Sequence, residues 1–314
     1  MTRTYSGIFA MLGACILWGL SPLLYKALDH VPPLEVLAHR TIWSLVIFVV
    51  WLGVQGRLPM VMRILGQKQQ RLMIVTLSVL IGVNWGAFIV AVQIGQTVEA
   101  SLGYFIYPLM TAVLGTVLFR EKLAPAQILS VLIAAAAVVL LGWGLGVTPW
   151  LALFLAGTFA VYGSLKKHTA LGPLVSVTGE VLLLLPLALI WLWGVHFLEW
   201  RDFDGRLGGA FGQSWQDTVL LLMVGPVTAF ALVLFAFAAK RLSFATQGFL
   251  FYLNPFLQFM VAALVFAEPV SRWHLIAFSL IGLALTIYSL HAFAQERKSR
   301  KALVNSATPG TTVK

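Results

Sequence analysis

The sequence predicts an all-α integral membrane protein: ten transmembrane helices, arranged as two inverted five-helix repeats around a central cavity. Three observations carry this expectation. First, 60% of the 314 residues are hydrophobic and only 10% are charged, whereas soluble domains carry about 25% charge. Such a chain cannot cover its surface in water, so its solvent is lipid. Second, ten apolar stretches approach the ~20 residues that a span needs. Third, the sequence repeats itself. Residues 100–122 and 245–269 share a small start, a Gly, aromatics, a mid-span Pro, an apolar run, and a Phe followed two residues on by a Glu. Pro108 pairs with Pro255 and Glu121 with Glu268 at an offset of 147, and Gly103 pairs with Gly248 at 145. A repeat of this kind in a membrane chain points to two related halves with a site between them.

The apolar runs place helices at 6–26, 36–54, 72–93, 100–119, 126–144, 148–166, 174–194, 217–239, 245–267 and 273–293. The first is a retained helix rather than a leader. Its Leu12-Gly13-Ala14-Cys15 resembles a lipoprotein cleavage box, but the apolar run before it is too short and hydrophobicity continues to Leu24. Cys15 is the one cysteine, so no internal disulfide is possible. Most connections are short, which makes neighbouring helices antiparallel. The longest, 195–216, is rich in Asp and Gly. The tail 294–314 is polar and is expected to be disordered and cytoplasmic.

The net charge of +10 does not form a nucleic-acid patch, because the basic residues are dispersed over loops and the tail. With the N-terminus inside, sixteen of the 21 Lys and Arg fall on the inner side and five on the outer. That bias puts both termini in the cytoplasm and supports an even number of spans. The halves are 1–147 and 148–293. Five helices per half is an odd number, so the second copy is inserted upside down, as in many secondary transporters.

Several phrases resemble the drug/metabolite transporter superfamily, EamA type, and its RarD branch. They are Leu17-Trp18-Gly19 with Ser21-Pro22 and Lys26; Glu35 with His39-Arg40 and Trp43-Ser44; Gly82 with Asn84-Trp85; the long phrase from Glu99 to Ile106 with Pro108; Glu121; Tyr162-Gly163 with Lys166-Lys167; and Glu180 followed by Pro186. The resemblance implies ten helices in two inverted repeats, a central cavity and movement of small organic solutes, with amino-acid and metabolite exporters among its members.

Polar groups inside a span usually face the bundle interior or a water-filled cavity. Tyr104, Tyr107 and Thr111 fall near one face of the fourth helix. Gln247, Phe251, Asn254 and Gln258 form one stripe on the ninth, and at the repeat offset Tyr107 matches Asn254 and Thr111 matches Gln258. These stripes read either as a hydrogen-bonding site for a small solute or as interhelical glue. Asn84 on the third helix could line the same cavity or bond a neighbour. Trp18 and Tyr162, related across the repeat, read as cavity walls or as core aromatics. Gly103, Pro108, Gly248 and Pro255 are candidate hinges for gating, or ordinary membrane-helix Gly and Pro.

Glu180 is the deepest carboxylate, with Lys166 and Lys167 on the same side. The group is a structural ion pair or a charge relay. Lys26, Asp29, Glu35, His39, Arg40 and Glu99 form an outer cluster, read as a salt-bridged gate or as interfacial charges at helix ends. Glu121 and Glu268 are expected to cap the helices that follow them. No charge stands clearly at the centre.

Metalloprotease, dinucleotide, Walker and serine-elbow motifs are all missing, so neither an enzyme nor a metal or other cofactor is expected. The reading is an inner-membrane, multi-pass transporter, secondary-active or facilitative, exporting amino acids or similar small metabolites by alternating access. A multidrug exporter is the alternative. The expected partners are a small-molecule substrate and membrane lipid; nothing calls for nucleic acid or for more than a monomer.

Overall fold

Proline and glycine punctuate the chain, and helices run between them. The computed structural model describes residues 2–120, 123–146, 148–167, 172–242 and 244–307, with backbone alone at 2–4, 118–119, 167, 244–245 and 296–307. The helices are α1 (Thr2–Ala27), α2 (Pro33–Val54), α3 (Leu58–Gly66), α4 (Lys68–Gln93), α5 (Thr97–Phe119), α6 (Pro125–Leu145), α7 (Trp150–Lys167), α8 (Pro173–Phe197), α9 (Trp215–Ala239), α10 (Phe244–Phe251), α11 (Leu253–Met260) and α12 (Arg272–Ala307). A π-turn, Val261–Val265, follows α11. Helices α2, α6 and α8 open on proline, which suits the first turn because its missing N–H would have no partner there. Among the described residues, nine segments are long and apolar enough to cross a membrane, and α7 holds a shorter apolar helix.

Three features depart from the expected ten helices. A nine-residue amphipathic helix, α3, lies between the second and third spans. The ninth span is broken into α10, α11 and the π-turn. The break falls at Tyr252, three residues before Pro255, which has no N–H to give and whose ring crowds the carbonyl four residues back, that of Phe251. Pro108 sits inside an unbroken α5. Finally, α12 continues past Phe293 to Ala307, where a disordered tail is expected; residues 308–314 lie outside the described residues.

The main helix pairings recur when each span is exchanged for its counterpart at the same place in the other half. Helix α5 packs on α7, and α10 and α11 pack on α1. Helix α1 packs on α9 as α7 does on α4, and α2 packs on α9 as α8 does on α4. The pairs α2 with α8, α5 with α11 and α6 with α12 join counterparts to each other. Close approach at the centre needs small residues: a Cβ on Gly103 would lie 2.7 Å from the carbonyl oxygen of Ala152 in α7. Cys15 of α1 is fully buried, its thiol donating to the carbonyl of Leu250 at 3.5 Å.

The repeat is also visible in the backbone. Arg120 and Ala267, again 147 apart, both have positive φ, 56° and 51°, and each immediately precedes a Glu. Glu268 does not cap the helix that follows it, as the sequence suggests. Its two carboxylate oxygens accept the N–H groups of Thr97 at 3.0 Å and Val98 at 2.8 Å, so it caps α5 in the other half. The left-handed turn at Ala267 aims the side chain across the bundle. Glu121 lies outside the described residues.

Loop 198–214 is folded down onto the ends of α1, α2 and α4. Glu35, fully buried, accepts the N–H of Gly209 at 2.7 Å and of Phe211 at 3.3 Å. Asp202 accepts the N–H of Leu34 at 3.0 Å; burial pushes its carboxyl above the ordinary value, against the pull of that bond and of the Phe203 N–H. The Arg206 guanidinium donates to the carbonyl of Asp29 and to Gln93 Oε1 at 3.0 Å. Gly208 admits no Cβ, which would meet Val195 at 2.7 Å and the Glu35 carboxylate at 3.0 Å.

Two substitutions test the crossed cap. Glu268→Ala should lower stability by about 1–2 kcal/mol, the cost of a lost N-cap, read as an earlier thermal unfolding transition in detergent. Ala267→Gly relieves the left-handed backbone and should unfold at an equal or higher temperature.

Candidate functional site

Aromatic rings from both halves meet between the central helices. Trp18 of α1 lies 5.8 Å from Phe235 of α9 and 6.1 Å from Phe251 of α10, which are 6.0 Å from each other. Phe251 reaches Tyr107 of α5 at 6.4 Å, and Tyr107 reaches Phe159 of α7 at 4.7 Å. Phe159 stacks on Tyr162 at 5.9 Å and meets Tyr104 at 5.7 Å. Tyr104 in turn meets Phe88 of α4 at 5.5 Å. The pairs Phe88–Tyr104 and Phe235–Phe251 are related by the same offset of 147. Such contacts add ~0.5–1.5 kcal/mol each beyond area burial. Trp18, Tyr107, Phe159, Phe235 and Phe251 are only half-buried, so part of each ring stays accessible.

The polar stripes divide into satisfied and unsatisfied groups. Asn84, buried, donates to the carbonyl of Leu155 at 3.1 Å and to Thr158 Oγ1 at 2.9 Å, and accepts the Tyr104 hydroxyl at 3.0 Å. This is a closed interhelical network joining α4, α5 and α7. Gln247 donates to the carbonyls of Leu242 at 2.9 Å and Ala239 at 3.3 Å, closing the end of α9. Thr111 donates to the Tyr107 carbonyl of its own helix at 3.0 Å. Asn254 and Gln258 differ. Both are buried, and Gln258 Nε2 donates to Asn254 Oδ1 at 3.2 Å and to the Trp18 carbonyl at 3.5 Å. Gln258 Oε1 is sealed from solvent with no partner. Gly248, unlike Gly103, has open space where a side chain would stand.

Two buried charges hold the same position in their helices. Helices α2 and α8 both begin with proline, and the eighth residue of each is charged: Arg40 and Glu180. Glu180 is saturated. It accepts the Tyr162 hydroxyl at 2.8 Å, Ser176 Oγ at 2.6 Å and Lys166 Nζ at 3.0 Å, and Lys166 also donates to the Tyr162 oxygen at 2.5 Å. The Lys167 side chain lies outside the described residues.

Arg40 lies in the outer cluster but, among the described residues, takes part in no salt bridge. It is 5% exposed, with its Cζ 4.0 Å from the Trp85 ring centroid and 5.7 Å from that of Tyr25. It stands two helical turns, about 10 Å at 1.5 Å per residue, from the start of α2. Its Nε has no partner. Its neighbour His39 accepts the Trp43 indole N–H at 3.2 Å and stacks on Phe211 of loop 198–214. In the same cluster Lys26 pairs with Asp29 at 3.0 Å, while Glu35 bonds loop backbone instead of a cation.

Phe159, Phe235 and the depth of Arg40 escape sequence reasoning. The 147-residue offset linking Phe88 to Phe235 was a usable signal for one of them.

Removing one partner of the Glu180 cluster should expose its structural weight. Lys166→Met leaves a buried carboxylate with neutral donors only and should cost about 3 kcal/mol. Adding Glu180→Gln should recover part of the loss. Thermal unfolding of the single and double variants checks both.

Comparison with known proteins agrees with this architecture. The EamA-like transporter family matches residues 5–143. An uncharacterized transporter of Pseudomonas aeruginosa is 39% identical over 91% of this chain and 94% of its own length. Protein RarD of Salmonella typhimurium is 34% identical over 94% of this chain and 98% of its own. A solved crystal structure, 20% identical, superposes with a TM-score of 0.61 over 93% of this chain and 99% of its own, which speaks for the fold. With an apolar bundle throughout and similarity to these transporters along nearly its whole length, the chain belongs to the EamA-like transporter family, in the RarD-like branch of the drug/metabolite transporter superfamily.

Proposed function

We propose that this transporter exports amino acids or similar small metabolites across the bacterial inner membrane by alternating access. The observation that carries the reading is the Gln258 amide oxygen, buried without a partner on a side chain that bonds the main chain of Trp18, whose ring meets Phe251. A buried, unsatisfied acceptor costs ~1–3 kcal/mol. A substrate ammonium group would remove that cost by donating to it, while the ring faces attract the same charge and tolerate a variable side chain. The two halves, 1–147 and 148–293, would exchange conformations around this point, with the break before Pro255 absorbing backbone rotation on one side and Pro108 and Gly103 serving the other.

A second reading, export of hydrophobic drugs, draws on the same aromatic faces. One relative, 28% identical over 90% of this chain, is the chloramphenicol-sensitive protein RarD of Pseudomonas aeruginosa.

Reconstitution into liposomes decides between them. Flux of labelled neutral amino acids is expected, and it should fall about tenfold in Asn254→Ala and in Gln258→Ala, the cost of one hydrogen bond to a charged group, with expression unchanged. Chloramphenicol flux with no amino-acid flux would establish the second reading instead. Orientation is tested separately. A cysteine placed at Lys301 should react with an impermeant maleimide only in inverted vesicles, and one at Asp204 only in intact cells. The reverse pattern would place the termini outside.

A further inference from the structure

Among the described residues, Arg40 is a buried charge that no opposite charge matches. Glu180, its counterpart in the other half, is held by a hydroxyl from Tyr162, a hydroxyl from Ser176 and the Lys166 ammonium. Among the described residues no carboxylate pairs with Arg40. Glu35, five residues earlier on the same helix, spends its oxygens on Gly209 and Phe211.

What surrounds Arg40 is aromatic. The Trp85 and Tyr25 rings lie beside its guanidinium. Ring faces attract the positive charge, and the Tyr25 side chain also hydrogen-bonds the guanidinium, but the Nε donor stays unpaired. A guanidinium presents five donors in a fixed planar fork that matches a carboxylate with two parallel bonds. The surroundings therefore stabilise the charge and leave its Nε donor unsatisfied. The position also joins the rest of the site: Tyr25 meets Phe88 at 6.0 Å, and Phe88 meets Tyr104, whose ring leads through Phe159 to Tyr107.

We propose that Arg40 binds the carboxylate of the transported solute. The substrate class is thereby narrowed to small molecules carrying a carboxylate. This deepens the amino-acid reading and rests on it. Trp85 and Tyr25 act as positioning residues that hold the guanidinium where water does not compete.

The test compares analogues that differ in one pole. Protein in liposomes preloaded with leucine is assayed for counterflow of labelled leucine against external leucine, leucinamide and 4-methylpentanoate. Leucine and 4-methylpentanoate should compete, and leucinamide should be weaker by about tenfold or more, as expected for loss of a charge-assisted bidentate pair. In Arg40→Gln, leucine and leucinamide should compete within about twofold of each other. A wild-type ratio in that variant overturns the proposal, as does an equal loss against all three competitors with the ratio kept. If Arg40→Gln does not insert, Arg40→Lys carries the test. It keeps the charge but not the fork, so the preference should drop about threefold or more, and an unchanged ratio overturns the proposal.

If the wild-type protein moves no amino acid, the functional reading fails by itself. Arg40 is then judged on melting temperature in detergent with 4-methylpentanoate or its amide. A rise with the acid alone that disappears in Arg40→Lys supports carboxylate binding; equal effects of acid and amide overturn it.

Discussion

Hydrocarbon offers no hydrogen bonds, so every polar group within the bundle must find its partner in the protein or bear the cost. Most of the architecture follows from that constraint. Glu268 closes the start of α5 from the opposite half. Asn84 ties three helices through one amide. The irregular end of the ninth span stays satisfied because the π-turn supplies wider bonds, Phe266 N–H to the Val261 carbonyl and Glu268 N–H to that of Ala262, both at 3.0 Å. Groups that escape this matching are few among the described residues, and Arg40 and Gln258 are two of them. Their rarity gives them weight.

The two halves share a backbone plan but not an electrostatic one. The eighth residue of α2 is a cation among rings, and that of α8 is an anion among donors. Each charge thus stands at the same position in a proline-opened helix. One is neutralised by its own neighbourhood, which makes that half self-sufficient. The other has no opposing carboxylate among the described residues.

The spans were legible because apolar runs of membrane length have few other meanings, and the repeat was legible because Pro and Glu recur at one spacing. What escaped reading has physical reasons. Helix α3 is too short for a span and has only two buried residues, Val61 and Ile64. Pro108 and Pro255 look alike in sequence, yet only the second lies at a break, since neighbouring packing decides whether a helix tolerates a proline. The polar stretch after Phe293 has the composition of a tail, but extending an existing helix needs no new nucleus. In the site, Tyr107, Phe251, Asn254 and Gln258 were legible from periodicity. Gln247 shares their stripe but sits near a helix start, where carbonyls of the preceding turn claim it. Phe159 and Phe235 were hidden among 21 phenylalanines. Arg40 resembled an ordinary interfacial charge because it lies near a helix end in sequence, while loop 198–214 covers that end in space.

Cys15 has a practical consequence. The only sulfhydryl of the chain is enclosed between α1 and α10, its hydrogen directed at a main-chain oxygen. Spin labels or fluorophore pairs can therefore be attached at chosen surface positions against a native background, without first deleting thiols. Distances between the halves become measurable in the unaltered bundle, and any slow reaction at Cys15 itself would time the separation of α1 from α10.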